Sequence, residues 1–163
     1  MKIGTMTAAA VTLALLAACS KAPEEQTTTA AAETAATPAA AATALPRTPA
    51  PAGARVFIVS PKDGETVTSP VRVVFGVEGM GVVPAGEQNA TAGHHHLLVD
   101  TDLADAGVPI PADEHHIHYG KAQTEAMVEL APGSHTLQLV MGDYLHIPFD
   151  PVIASPKITV TVN

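Results

Sequence analysis

Short apolar and β-branched runs, separated by turns rich in proline and glycine, fill the chain from Arg55 to its last residue. Residues 71–77 and 158–162 alternate in the period-two pattern of a strand with one buried face. No window sustains the 3.6-residue period of an amphipathic helix. Residues 55–163 are therefore predicted to form one all-β domain, an antiparallel β-sandwich.

Two segments of this domain resemble immunoglobulin-like modules. Its first apolar strand is followed by SPKDGETVTSPVRVVF, which looks like the start of many bacterial modules of that fold. The string LAPGSH, residues 130–135, resembles the corner that precedes strand F, with His135 where a tyrosine often sits. The resemblance implies an immunoglobulin-like sandwich in which His135 has a structural, hydrogen-bonding role.

The beginning of the chain has the organisation of a secretory signal. Lys2 precedes an uncharged, almost wholly apolar run at residues 6–18, which is shorter than the roughly 20 residues that span a bilayer. The run ends in LAAC, which resembles a bacterial lipobox, and Cys19 is the only cysteine of the chain. Residues 1–18 are thus predicted to be a lipoprotein signal peptide, and Cys19 the lipidated residue that anchors an exported protein to a membrane.

Residues 19–54 are predicted to be the lipidated cysteine followed by a flexible linker. Residues 20–54 contain 14 alanines, seven threonines and five prolines, and this composition cannot bury enough apolar surface to form a core. Ser20 and Lys21 follow the cysteine, without the aspartate that retains a lipoprotein at an inner membrane. The periplasmic face of the outer membrane is therefore the favoured location in the cell envelope.

The charge of the domain restricts its partners. Residues 55–163 carry 13 acidic and five basic side chains, a net charge of 5 − 13 = −8. Nucleic acid is excluded as a partner, because phosphate binding is driven by basic charge. The sequence does not identify a protein partner. It contains no nucleophile elbow and no phosphate-binding loop, so the protein is not expected to be an enzyme.

All eight histidines lie in the domain, and most are in two short strand-like windows. Alternate residues of a strand share a face, so His94 and His96 are predicted to point one way, and His116 and His118 to form a second pair. Two such pairs on neighbouring antiparallel strands would surround one cation, and imidazole suits zinc and copper. The main hypothesis is a metal site for copper or zinc made of His94, His96, His116 and His118.

The sequence offers further ligands and hydrogen-bond acceptors for this site. His95 is in phase with Leu97 and Val99, which favours packing. Asp100, Asp113 and Glu114 are candidate acceptors that would fix the imidazole tautomers, and the thioethers of Met80 and Met141 would shift the preference towards copper(I). The possible additional ligands are His95, His146, Met80 and Asp100.

Two metal-free alternatives remain open. In the first, Lys121, Gln123 and Glu125 share one face of a strand and form a polar network that binds an anion. The imidazoles would add positive charge to that network below about pH 6.5. In the second, the domain is an envelope interaction module whose histidines are only structural.

Three long segments resemble a bacterial family of exported proteins that contain a domain of unknown function. They include the strings GHHHLL, HIHYGKAQTE and GSHTLQLVMGD, and the resemblance covers most of residues 71–162. It implies a secreted or lipid-anchored protein but no established activity. The family usually has glycine where this chain has Ala122, which argues against a role for this position that requires unusual backbone angles. The matching positions are Gly93, His94, His95, His96, Leu97, Asp100, His118, Gly120, Lys121, Gln123, Thr124, His135, Leu137, Gly142, Asp143 and His146.

Overall fold

A computed structural model of the chain describes residues 45–163. The predicted signal peptide, Cys19 and most of the predicted linker lie outside the described residues. Within residues 45–163 there is no helix, and hence none long and apolar enough to cross a membrane. The nine strands are β1 Arg55–Ser60, β2 Thr66–Val67, β3 Val71–Glu78, β4 Gly81–Val82, β5 Ala92–Val99, β6 His116–Tyr119, β7 Glu125–Val128, β8 Gly133–Gly142 and β9 Ile158–Val162.

The strands form two sheets. One has the order β1-β3-β7, and the other has the order β2-β9-β8-β5-β4, with β6 paired to β5. The strands β1, β3 and β7 take the places of strands A, B and E of an immunoglobulin-like domain, and β9, β8 and β5 take those of G, F and C. The predicted all-β sandwich is confirmed. The short strands β2 and β4 were not predicted, since two residues carry no periodic signal.

The main core lies between the sheets. It is formed by the inward side chains that the period-two pattern indicates, among them Val73, Leu97, Leu139 and Val160, all with no exposed surface. A second, smaller cluster of Leu98, Ile110 and Val140 covers part of the outer face of the larger sheet. The connection between β5 and β6 thus packs on that outer face, which buries side chains that would otherwise meet solvent.

His135 ties the corner before β8 to the end of β5. Its Nε2 donates to the carbonyl of Ala131 at 2.8 Å, and its Nδ1 donates to Asp100 Oδ2 at 2.7 Å. Because neither partner can donate, both ring nitrogens must carry protons. The hydrogen bond to Asp100 and the one to Ala131 raise the pKa of His135. The predicted structural role of His135 is confirmed.

The end of the predicted linker is attached to the domain. Residues 47–50, which we call the strap, are hydrogen-bonded to the connection between β8 and β9. Thr48 and Asp150 also share a backbone hydrogen bond of 2.9 Å. The folded part of the chain therefore begins before the predicted boundary at Arg55.

Ala122 has a positive φ of 56°, contrary to the expectation that alanine there implies ordinary backbone angles. The tight connection between β6 and β7 imposes this conformation, which costs an L-residue about 1–2 kcal/mol. Replacement by glycine, Ala122→Gly, should raise the free energy of unfolding by about 0.5–1 kcal/mol. Urea unfolding followed by circular dichroism would measure it. Ala126→Gly in β7 is the matched control and should lower stability; a lower stability of Ala122→Gly as well would contradict the prediction.

Candidate metal centre

Three histidines meet on the outer face of the larger sheet because of strand register. β5 pairs antiparallel with β6, and His96 lies directly opposite His118. His94 and His96 share a face, whereas His95 points to the opposite face with Leu97. Residues two apart on one strand and directly opposite residues on its neighbour have side chains within reach of each other. The ring centroids of His94, His96 and His118 are 4.9–5.1 Å apart.

A fourth imidazole enters from the connection between β8 and β9. His146 has a positive φ of 66° in a turn that Asp143 organises. The Asp143 carboxylate Oδ1 accepts the N–H groups of Leu145 and Ile147 at 2.9 and 3.0 Å, and the His146 N–H donates to the Asp143 carbonyl at 2.8 Å. The His146 carbonyl accepts the N–H of Ile110 at 2.9 Å, which fixes the turn to the β5–β6 connection.

The four rings converge on one point. His94 Nε2 lies 3.1 Å from His96 Nε2 and 3.1 Å from His146 Nδ1. One nitrogen from each of His94, His96, His118 and His146 lies within 4.8 Å of the corresponding atom of the other three. A tetrahedral zinc ion with bonds of about 2.0–2.1 Å holds its nitrogen ligands about 3.3 Å apart. The short separations already match that spacing, and small ring rotations would complete it.

The hydrogen bonding of the cluster is incomplete without a cation. The buried atoms His94 Nδ1, His96 Nδ1 and His118 Nε2 have no hydrogen-bond partner among the described residues, but the two Nδ1 atoms are not the ones that converge. A neutral imidazole has one N–H and one lone pair, so a single proton on His94 Nε2 cannot satisfy both nitrogens that lie 3.1 Å away. A bound cation would accept the converging lone pairs together. Lone pairs that face one another in a buried site are costly, and a cation would remove that cost.

Three of the four rings, those of His94, His96 and His118, are held in the neutral form that a metal requires. Burial, followed by repulsion from His146 and His118, lowers the pKa of His94 to about 4. Burial and then repulsion from His94 lower the pKa of His96 to about 2, and burial also lowers the pKa of His118. At neutral pH these three imidazoles are uncharged, so a metal ion would not have to compete with their cationic form.

Two glycines next to the cluster make room for its rings, because they have no side chain. A Cβ atom at Gly142, which pairs with His94, would lie 2.9 Å from His96 Nε2. A Cβ atom at Gly120 would lie 2.6 Å from His118 Nε2. Any larger residue at either position would push an imidazole out of place.

Asp143 brings a buried negative charge to the cluster. Its side chain has 1% exposure, and its hydrogen-bond donors are neutral: the Thr48 hydroxyl at 2.7 Å and the N–H groups of Leu145 and Ile147. Its charge acts to raise the pKa of His94, against the larger effect of burial. A buried carboxylate without a cationic hydrogen-bond partner favours a bound cation nearby.

The structure places His116 and His95 outside the cluster. His116 is on the same face as His118 but lies opposite Leu98, and its Nδ1 donates to Asp113 at 2.8 Å. His95 lies between the sheets, where Nδ1 donates to the carbonyl of Gln123 at 3.0 Å and the ring packs 5.0 Å from Phe75. Burial lowers the pKa of His95 to about 4. His146 thus occupies the fourth position that the sequence hypothesis gave to His116.

The other candidate ligands and acceptors also lie elsewhere. Asp100 is bonded to His135, and Asp113 to His116, so neither fixes a tautomer in the cluster. Met141 pairs with His95 in the main core, against which Met80 also packs. Glu114 Oε1 lies 3.6 Å from Nε2 of His115, which is not a member of the cluster.

The predicted anion-binding network is not formed. Lys121 and Gln123 lie in the β6–β7 connection, where the Gln123 side chain accepts the N–H of Lys121 at 2.7 Å. Glu125 is in β7 and pairs with Arg72 on the exposed surface. The three residues do not share a strand face, because β6 ends at Tyr119. The neutral imidazoles also supply no positive charge at neutral pH.

Sequence reasoning ranked His146 only as a possible addition and missed Asp143 and Thr48. The spacing of His146 from Gly142 and Asp143 is the sequence signal that could have identified His146 as a main candidate ligand. Glycine followed by aspartate favours a tight turn, in which the aspartate side chain accepts nearby N–H groups. No sequence pattern indicates the role of Thr48, since its contact with Asp143 joins residues 95 positions apart.

Comparison with known proteins identifies the family of this chain but indicates no activity. A family described as a domain of unknown function (DUF4399) matches residues 73–163, a stretch that contains all four clustered histidines. No curated protein and no solved structure shows significant similarity to the chain.

The metal-free protein should lose stability in mild acid. The folded pKa of His95, about 4, lies below its ordinary 6.5, so the unfolded chain binds more protons between these values. Stability is full above pH 6.5 and falls towards pH 4, by roughly 3 kcal/mol for His95 alone (6.5 − 4 = 2.5 units). Urea unfolding with a chelator at pH 7 and pH 4.5 measures the loss.

His95→Leu should reduce this acid-dependent loss. His135→Gln should retain it, because the raised pKa of His135 gives a contribution to stability that is not lost on acidification. Equal stability of the unsubstituted protein at pH 7 and pH 4.5 would contradict the prediction.

Proposed function

We propose that this chain, which belongs to the DUF4399 family, is a lipid-anchored protein of the bacterial cell envelope that binds zinc or copper. The ligands are His94, His96, His118 and His146. The observation that carries the proposal is the convergence of four imidazole nitrogens within 4.8 Å of one another. His94 Nε2 cannot share one proton with both His96 Nε2 and His146 Nδ1, so a cation is the better partner for the converging lone pairs.

The donor set favours divalent zinc or copper. All four ligand atoms are imidazole nitrogens, and Met80 and Met141 belong to the main core, so no thioether favours copper(I). Four protein ligands fill a tetrahedral site, as in metal sites that hold an ion, whereas catalytic zinc sites keep a position open for water. We therefore assign the protein a capture or storage role and not catalysis.

The envelope location is supported by the sequence alone. The only cysteine follows an apolar run at the lipobox position, and an alanine-rich segment separates it from the β-domain. The acidic domain, with its net charge of −8, would attract cations from the periplasm. The outer membrane is the favoured site of the anchor, because no aspartate follows Cys19.

Metal binding is tested by titration and elemental analysis. The chain should bind one Zn²⁺ or Cu²⁺ per molecule, and the His96→Ala/His118→Ala double variant should lose it, because two of four ligands are gone. His116→Ala is the matched control and should bind as the unsubstituted chain does. Because burial lowers the pKa of His94 to about 4, affinity should fall as the pH approaches that value and protons compete for the ligands.

Isothermal titration calorimetry with each metal would measure the binding. Affinity weaker than millimolar for both metals, or equal binding by the double variant, would overturn the proposal. Stability losses in the double variant that are the same with metal and with chelator would favour the interaction module instead.

The anchor is tested by Cys19→Ser. The unsubstituted chain should fractionate with membranes and carry the mass of a diacylglyceryl group, since two or more acyl chains anchor a protein stably. Cys19→Ser should lose both properties, and Ser20→Ala should retain them. Membrane fractionation and mass spectrometry of the purified chain provide the measurement, and an unlipidated chain from the bacterial envelope would disprove the anchor.

A further inference from the structure

The strap makes several contacts with the connection that carries His146. Thr48 and Ala50 exchange backbone hydrogen bonds with Asp150: the Ala50 N–H donates to the Asp150 carbonyl at 2.7 Å, and the Asp150 N–H donates to the Thr48 carbonyl at 2.9 Å. The Arg47 guanidinium donates to the carbonyls of Pro148 and Phe149 and to the Asp150 carboxylate. The strap is thus bound to residues two to four positions after His146.

A second contact reaches the turn from the other side of His146. The Thr48 hydroxyl donates to Asp143 Oδ2 at 2.7 Å, while Oδ1 of the same carboxylate accepts the N–H groups of Leu145 and Ile147. The two oxygens of Asp143 therefore join the strap to the two residues that flank His146. The positive φ of His146 requires such support, because this conformation is costly for a residue with a side chain.

We infer that the strap is a positioning element for the fourth metal ligand, so that metal affinity depends on how residues 47–50 are docked. This inference rests on the proposed function. His94, His96 and His118 are fixed by strand pairing, but His146 lies in a connection and relies on the Asp143 turn. Because the strap continues into the linker towards Cys19, the same residues join the anchor side of the chain to the metal centre.

Thr48→Val tests the inference in the full chain. It keeps the shape of the side chain but removes the hydroxyl that orients Asp143. Residues that orient metal ligands typically contribute about 10–100-fold to metal affinity, so Zn²⁺ should bind about tenfold more weakly. Thr48→Ser keeps the hydroxyl and should restore the affinity. Thr66→Val, at an exposed position on β2, is the matched control and should have no effect.

A double-variant comparison separates positioning from general destabilisation. In a His146→Ala background, Thr48→Val should weaken zinc binding no further, since the ligand through which it acts is absent. Electron paramagnetic resonance of Cu²⁺ should report altered nitrogen coordination in Thr48→Val. In the metal-free chain, the Leu145 and Ile147 amides should exchange hydrogen faster in that variant. Arg47→Ala, which removes the other strap contacts, should weaken zinc binding in the same direction.

The outcomes distinguish the two claims. If Thr48→Val and Arg47→Ala bind Zn²⁺ as tightly as the unsubstituted chain, the strap inference is overturned and the metal-binding proposal stands. An additive loss in the His146→Ala background also overturns it, because the strap would then act elsewhere. If the unsubstituted chain binds neither Zn²⁺ nor Cu²⁺, the proposed function fails and the inference fails with it.

Discussion

The register of β5 between β6 and β8 is the constraint on which the candidate site depends. It places His96 opposite His118 on one side, and His94 opposite Gly142 on the other. A slip of one residue would turn His94 and His96 into the core and bring His95 and Leu97 to the outer face. Leu97 and Val99 oppose such a slip, since it would move both from the core to the outer face. The same apolar residues that build the sandwich thus position the polar cluster.

Burial of the imidazoles has two opposing effects. It lowers the pKa values of His94 and His96, which keeps both rings uncharged, but it also leaves their Nδ1 atoms without hydrogen bonds. Exposure of these rings to water would supply the missing hydrogen bonds, but it would also remove the lowering of their pKa values. The proposed metal ion would take the converging lone pairs and balance the buried charge of Asp143, whereas the Nδ1 atoms of His94 and His96 would stay unpaired. Such an ion would therefore add to the stability of the cluster.

Much of the fold follows from local patterns, and the site follows only in part. Short apolar runs and period-two alternation together indicated the longer strands, and alternation separated His94 and His96 from His95. It could not choose between His116 and His118, because both lie on one face and only the register decides which one is opposite His96. His146 and Thr48 depend on contacts between distant parts of the chain, about which a strand pattern carries no information. The folded end of the linker was missed for the same reason, since its composition matches that of an unstructured tether.

The two glycines beside the cluster have a consequence for recognising this kind of centre in other sequences. Gly120 and Gly142 supply no ligand, yet a side chain at either position would collide with a clustered ring. A search that counts histidines alone would select many chains in which a bulkier residue prevents the four imidazoles from meeting. A sequence signature for the centre should instead combine H-x-H, then H-x-G, then G-D-x-x-H, in three separate segments. Absence of a bulky residue is as diagnostic in that signature as the presence of a ligand.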